Sequence, residues 1–216
     1  MKIDYKWSVA REGYFPILTS FFVCWLGTAF FGLSFISIIL FGLFLVVLYF
    51  FRDPERIVPN VDGMVSPADG KIISIDKSTE SEFVKKEMKR ICIFLSLLDC
   101  HINRSPIDCS VNETRYYPGA FHFANSDKAV ENERLCIHLK SDSNEDVIVI
   151  QYAGFLARRI VSYISVNSNL KRGQRIGIIK FGSRVDIYVP ENYHTNLKAG
   201  DSVVAGETIL YEREGK

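Results

Sequence analysis

Gly182 and Ser183 are the pair in this chain best suited to covalent chemistry. A serine hydroxyl becomes a nucleophile once a base takes its proton. The carbonyl just before it belongs to a glycine, with no side chain to obstruct attack and a backbone able to hold a strained conformation. Residues 174–181 precede the pair and residues 184–190 follow it, both rich in β-branched and aromatic side chains, as strands are. Gly-Ser between two such runs reads as a two-residue hairpin turn with φ > 0 at the glycine. A plain turn is the commonest use of such a pair, so the rest of the chain must decide whether Ser183 does more.

Three further blocks carry reactive side chains. In Val65-Ser-Pro-Ala-Asp-Gly-Lys71, Asp69 sits in an Asp-Gly turn signature. In Phe94-Leu-Ser-Leu-Leu-Asp-Cys-His-Ile-Asn-Arg-Ser-Pro106, Asp99, His101, Asn103 and Arg104 crowd the end of an apolar strand. Side chains two apart share a strand face, so Asp99, His101 and Asn103 are expected to point one way. The third block, Asn132-Glu-Arg134, leads into another strand. Each has an ordinary structural reading by itself: a turn, a satisfied polar cluster, a solvated loop.

These groups need a scaffold, and the scaffold has two parts. Residues 16–51 run without one charged side chain. A single helix of that length would span about 54 Å, against a hydrocarbon core of about 30 Å. A transmembrane helical hairpin fits better, broken near Gly27-Thr28 or Gly32. Lys2, Lys6 and Arg11 precede the run, and Arg52 and Arg56 follow it. Basic residues on both flanks put both ends, and the domain beyond them, on the cytoplasmic side of the cell membrane. Residues 1–15 read as an interfacial lead-in.

Residues 52–216 read as mainly β, with helix expected only around 81–89 and 156–162. Near the C-terminus, Gly200 and Gly206 lie six residues apart, each leading into a short apolar run. That spacing resembles a half-motif of biotinyl and lipoyl carriers and implies a barrel-sandwich of short strands. The 216 residues are 48% hydrophobic with net charge +1, which excludes a disordered chain and removes any long-range pull on nucleic acid. The five cysteines form no CxxC pair, so neither a metal site nor a disulfide framework is expected. His122, His138 and His194 show no ligand spacing and are taken as ordinary residues.

Taken together and in order, these blocks resemble the short form of the phosphatidylserine decarboxylase proenzyme family. The matching pieces are the apolar run ending in Phe51-Arg-Asp-Pro54, Val65-Ser-Pro-Ala-Asp-Gly-Lys71, Asp99-Cys-His101, Tyr117-Pro-Gly-Ala-Phe121, Asn132-Glu-Arg134 and Gly177-Ile-Ile-Lys-Phe-Gly-Ser-Arg184. The resemblance implies self-cleavage between residues 182 and 183. Ser183 would attack the Gly182 carbonyl and then become a pyruvoyl group, the only cofactor implied. The two chains so formed would stay together as a heterodimer, with higher oligomers left open. Asp69 and His101 are the implied acid–base residues. Larger family members carry a second histidine where this chain has Arg104, which weakens the identification of the self-cleavage base.

The implied reaction is decarboxylation of phosphatidylserine to phosphatidylethanolamine through a Schiff base on the pyruvoyl group. The partners are the phospholipid membrane and that lipid. Arg104, Arg158 and Arg159 are the arginines available to its phosphate. The aromatic stretch 116–123 is a candidate for contact with headgroups. Two alternatives stand beside this reading: a pyruvoyl decarboxylase of a related amino-headgroup lipid, or a membrane-tethered biotinyl-like scaffold.

Overall fold

The computed structural model describes residues 7–120, 122, 131–154, 159–180 and 182–213. Two compact units divide the chain between Glu55 and Arg56.

The first unit is a helical hairpin. A short strand β1 (Trp7–Val9) leads through a 3-10 turn into α1 (Tyr14–Phe31), followed by α2 (Phe35–Phe50) and strand β2 (Arg52–Pro54). The break falls at Gly32, whose φ of +63° ends α1, while Gly27 stays helical. Ser34 caps α2 by accepting the Ser37 N–H, and Ser37 Oγ donates to the Gly32 carbonyl at 2.6 Å. Gly27 is the close-approach point, because a Cβ there would overlap Leu40 Cδ1. The Phe21 and Phe44 rings meet edge-on at 5.7 Å. β1 and β2 pair antiparallel, Val9 opposite Arg52, so the two ends of the hairpin are zipped together. Its outer surface is apolar: Phe15 is 80% and Leu33 97% exposed.

The second unit is built from strands. In chain order they are β3 (Met64–Val65), β4 (Gly70–Glu80), β5 (Lys86–Leu95), β6 (Ile102–Arg104), β7 (Cys109–Tyr117), β8 (Arg134–Ser141), β9 (Asp146–Ala153), β10 (Ile160–Ser162), β11 (Asn169–Leu170), β12 (Arg175–Ile179), β13 (Ser183–Val189), β14 (Tyr193–His194), β15 (Ser202–Val203) and β16 (Ile209–Arg213). An antiparallel sheet in the order β11-β7-β8-β9-β13-β5-β4-β15 curls into a half-barrel. Two three-stranded sheets, β10-β12-β6 and β14-β16-β3, complete the fold. The architecture is mainly β, as the pattern of short apolar runs implies.

β13 is central and buried along its whole length. Val185, Ile187 and Val189 point into the main core with Ile91, Ile93, Leu95, Val149 and Ile179. Tyr188 joins a smaller cluster with Met88, Cys136, Ile148, Ile150 and Tyr152. A strand with both faces covered keeps its polar members only if they are paired.

Three local expectations fail. No helix forms over 81–89: residues 81–85 turn, and β5 begins at Lys86. The buried Glu80 carboxylate accepts the N–H groups of Glu82, Phe83 and Val84 at 2.7 to 3.3 Å, and Lys85 adopts φ +53°. Those bonds hold the β4–β5 turn and withdraw the amides a helix would need. Residues 160–162 are strand β10 rather than helix, and 155–158 lie outside the described residues. The expected Gly-Ser hairpin does not form either. β12 pairs with β6 and β10, whereas β13 pairs with β5 and β9, so residues 180–182 pass from one sheet to another. Gly182 does adopt φ > 0, at +54°.

Candidate active site

Ser183 is the first residue of β13, opposite Ala153 on one side and Leu95 on the other. It is fully buried, and its Oγ has no hydrogen-bond partner among the described residues. Strand alternation puts it on the face of Val185. Gln151, opposite Val185, is therefore its diagonal neighbour, at about 7–8 Å between backbones and within reach of a long side chain.

The facing sheet supplies the other half. β6 pairs with β12 at Ile102–Ile178, and the ladder continues through the Ile179 N–H to the His101 carbonyl at 3.3 Å. His101 thus sits beside the end of β12, two residues before Asn103, and is fully buried. Gln151 Nε2 meets Asn103 Oδ1 at 2.6 Å across the two sheets. Both residues are fully buried, and Asn103 Nδ2 and Gln151 Oε1 have no further partner among the described residues. Gly177 lets β12 approach β10 nearby, since a Cβ there would lie 2.6 Å from the Val161 carbonyl.

His101 is oriented by the backbone. Its Nδ1 lies 3.0 Å from the Asp99 carbonyl, which can only accept, so Nδ1 carries the hydrogen in the neutral ring. Nε2 then holds the lone pair a base requires. The Asp99 carboxylate does not share that face. It turns back to take the Ser96 N–H and Oγ–H, each at 2.7 Å. Asp69 also has other business: its carboxylate pairs with Arg56 Nη2 at 2.7 Å and accepts the Ala205 N–H at 2.8 Å.

The Asn132-Glu133 pair braces the Ser183 side. Asn132 Nδ2 donates to the carbonyls of Ala153 and His122, and Asn132 Oδ1 accepts the His122 N–H. Glu133 accepts the Ile160 N–H at 3.0 Å, and its carbonyl takes the Ala153 N–H. Ala153 is Ser183's partner in the ladder, so this loop fixes the strand beside Ser183.

The three arginines differ. Arg104 is buried and donates to the Gly173 carbonyl at 2.8 Å, packed beside Gly206; its guanidinium serves the fold and is not presented at the surface. Arg159 is exposed, and its carbonyl accepts the Lys180 N–H at 3.3 Å, next to the sheet crossing. Arg158 lies outside the described residues. So do Phe121 and Phe123 of the aromatic stretch, whose Tyr116 is exposed and whose Tyr117 hydroxyl donates to Glu82. His122, His138 and His194 each face a carboxylate, the shortest being His138 to Asp146 at 2.7 Å.

A family model described as phosphatidylserine decarboxylase matches residues 43–211. The chain belongs to the phosphatidylserine decarboxylase family. Family members are enzymes, and the relatives bear the printed name phosphatidylserine decarboxylase proenzyme. The one from Nitrosomonas eutropha is 40% identical over 206 residues, covering 94% of each chain. That from Desulfotalea psychrophila is 45% identical over 165 residues, 76% of this chain and 77% of its own. That from Symbiobacterium thermophilum is 45% identical over 174 residues, 80% and 81%.

For a decarboxylase of this family, the residue the sequence left unremarked is Gln151. Its signal was available: one amide in the otherwise apolar run Val147-Ile-Val-Ile-Gln151. Arg184 and Asp186 were also missed as a pair. They sit on the face opposite Ser183, joined by two bonds of 2.6 Å.

Proposed function

We propose that this chain cleaves itself between Gly182 and Ser183 and then decarboxylates phosphatidylserine to phosphatidylethanolamine. The observation that carries the reading is the Ser183 hydroxyl: buried, without a hydrogen-bond partner among the described residues, and directly after a glycine at φ +54°. A Cβ on Gly182 would meet no described residue within 4 Å, so it is the positive φ, and not crowding, that calls for glycine there.

In this reading His101 Nε2 takes the Ser183 hydroxyl proton as Oγ attacks the Gly182 carbonyl carbon. The C–N bond breaks, the amide becomes an ester on Oγ, and His101 passes the proton to the freed nitrogen, which becomes the Ser183 amine. Loss of the Ser183 α-proton then expels the Gly182 carboxylate and leaves dehydroalanine. Water hydrolyses its imine tautomer, releasing ammonia and leaving a pyruvoyl group at position 183. Ser183 fits such a group because its Oγ makes no competing bond among the described residues. The pyruvoyl carbonyl supplies an electron sink for an amino acid bound through its amine.

The chain's own residues do the rest. His101 returns a proton to the decarboxylated carbon. The buried setting excludes water from the developing charge. Asp69 acts on the site at one remove, by holding Arg56. Arg159, exposed beside the sheet crossing, would meet a lipid phosphate in this reading. The helical hairpin anchors the enzyme in the cell membrane, with the catalytic unit on the cytoplasmic side. Its helices of 18 and 16 residues span about 27 and 24 Å, slightly short of a core of about 30 Å.

Intact-mass measurement of the purified protein tests the reading. Two chains are expected, the smaller starting at a blocked residue 183, and one intact chain for Ser183→Ala. An unbroken parent chain, or a cleaved Ser183→Ala, refutes it.

A further inference from the structure

We infer that Arg184 and Asp186 form an anchor that keeps the new end of the short chain in register after cleavage, an inference that rests on the self-cleavage reading above. Before scission, Ser183 is held from both directions along the backbone. Upstream, the chain crosses to β12, which belongs to a different sheet. Scission removes that hold, and residue 183 becomes a chain end. Chain ends fray unless something ties them down.

A pyruvoyl end is also uncharged. An ordinary new N-terminus carries an ammonium that a carboxylate can capture; this one has no such handle. The nearest charge is one residue along, on Arg184. Its Nε and Nη2 each lie 2.6 Å from the two oxygens of Asp186, a fork-to-fork pair within one strand. Nη2 also lies 3.2 Å from Cys92 Sγ on β5, and the guanidinium sits 5.3 Å from the Tyr152 ring centroid on β9. Arg184 therefore grips both strands that flank the chain end. Asp186 is completely buried, with Arg90 Nη1 at 4.0 Å as its second cation. Burial and the Asp186 charge push the Cys92 thiol up to about 11, so it presents a neutral sulfur to the guanidinium.

Stability alone does not account for a pair of this kind. A buried ion pair costs so much desolvation that apolar residues of similar volume often replace it without loss. A tether for an uncharged end is a task that apolar residues do not perform. Ser183 lies on the opposite face, so the anchor touches no substrate; both residues are positioning residues.

The test is the double variant Arg184→Met/Asp186→Leu in the full chain, which removes both charges together. Self-cleavage, followed by intact mass after synthesis, is expected to keep its parental rate, because the uncut backbone still holds Ser183. The kcat of the mature enzyme on phosphatidylserine in mixed micelles is expected to fall about tenfold, with KM little changed. Hydrogen exchange in the peptide 183–189 is expected to rise in the mature form only. Parental kcat and protection in the cleaved double variant would overturn the anchor. So would an equal loss of cleavage and turnover, which marks a general folding defect. If the double variant does not fold, Arg184→Lys decides, since it keeps the charge but loses the fork: lower kcat with parental cleavage supports the anchor, and unchanged kcat overturns it. An uncut parent chain sinks the self-cleavage reading itself, whereas a cut parent with a fully active double variant sinks only the anchor.

Discussion

Gln151 donates to Asn103 across 2.6 Å, and this one bond joins the strand that follows His101 to the sheet that carries Ser183. Each amide has one polar group left over and no water-exposed surface. An amide in such a setting is costly to strand.

Asn103→Ala should therefore destabilise the protein by about 1–3 kcal/mol, because it leaves the Gln151 amide buried alone. Adding Gln151→Ala should cost less than the sum, with a coupling of about 1 kcal/mol. Thermal unfolding in detergent, on the Ser183→Ala background so that every chain is uncut, measures both. Additive effects would show that the two amides do not interact.

His101 and Asp69 should separate in kind. His101→Ala removes the proposed base and should slow cleavage by about 10²–10⁴-fold. Asp69→Asn keeps an acceptor for Ala205 N–H but leaves the buried Arg56 cation without its carboxylate. It should lose about 3 kcal/mol of stability and slow cleavage less than His101→Ala does. Scission half-times beside melting temperatures distinguish the two; a slower Asp69→Asn would make Asp69 the direct partner of the base.

The thiols predict an alkaline limit. Burial pushes Cys92 up to about 11 and Cys136 up to about 12, from an ordinary value of 9.0. Between pH 9 and these values the unfolded chain releases thiol protons that the folded chain retains. The unfolded state then binds fewer protons, so stability falls as pH rises through this window and is untouched by these groups below it. Denaturation midpoints from pH 8 to 11 should decline in the parent and decline less in Cys136→Ala, and iodoacetamide at pH 8 should leave both thiols unmodified in the folded protein.

Gly27 sets the spacing of the helical hairpin. Gly27→Ile should force the helices apart at Leu40. With Phe21 and Phe44 both replaced by Cys on a Cys24→Ser background, a short bis-maleimide should cross-link the parent hairpin readily, since those side chains face each other with rings 5.7 Å apart. The Ile variant should cross-link poorly; equal yields would show that Gly27 is not a contact point.

The proposed nucleophile and its proposed base were legible because they lie in ordered motifs along the chain. The hairpin break at Gly32 was legible because glycine is the residue that ends a helix with φ > 0. The partners of β13 were not. Two strands joined by three residues look like a hairpin, and only pairings with residues 15 to 100 positions away send them to separate sheets. Gln151 was hidden for the same reason: its meaning depends on Asn103, 48 residues upstream. The supposed helix at 81–89 was undone by Glu80, whose carboxylate binds amides only in the folded turn.

The zip between β1 and β2 has a consequence for biogenesis. In the membrane-anchored state proposed above, the hairpin would enter and leave at one end, so inserting it would move only the link Gly32-Leu33-Ser34 through the bilayer. That link bears no charge, and Ser37 already occupies the Gly32 carbonyl. Nothing ionised has to be translocated, so such a pair of helices can enter from the side on which the chain is made, with no hydrophilic domain following it across.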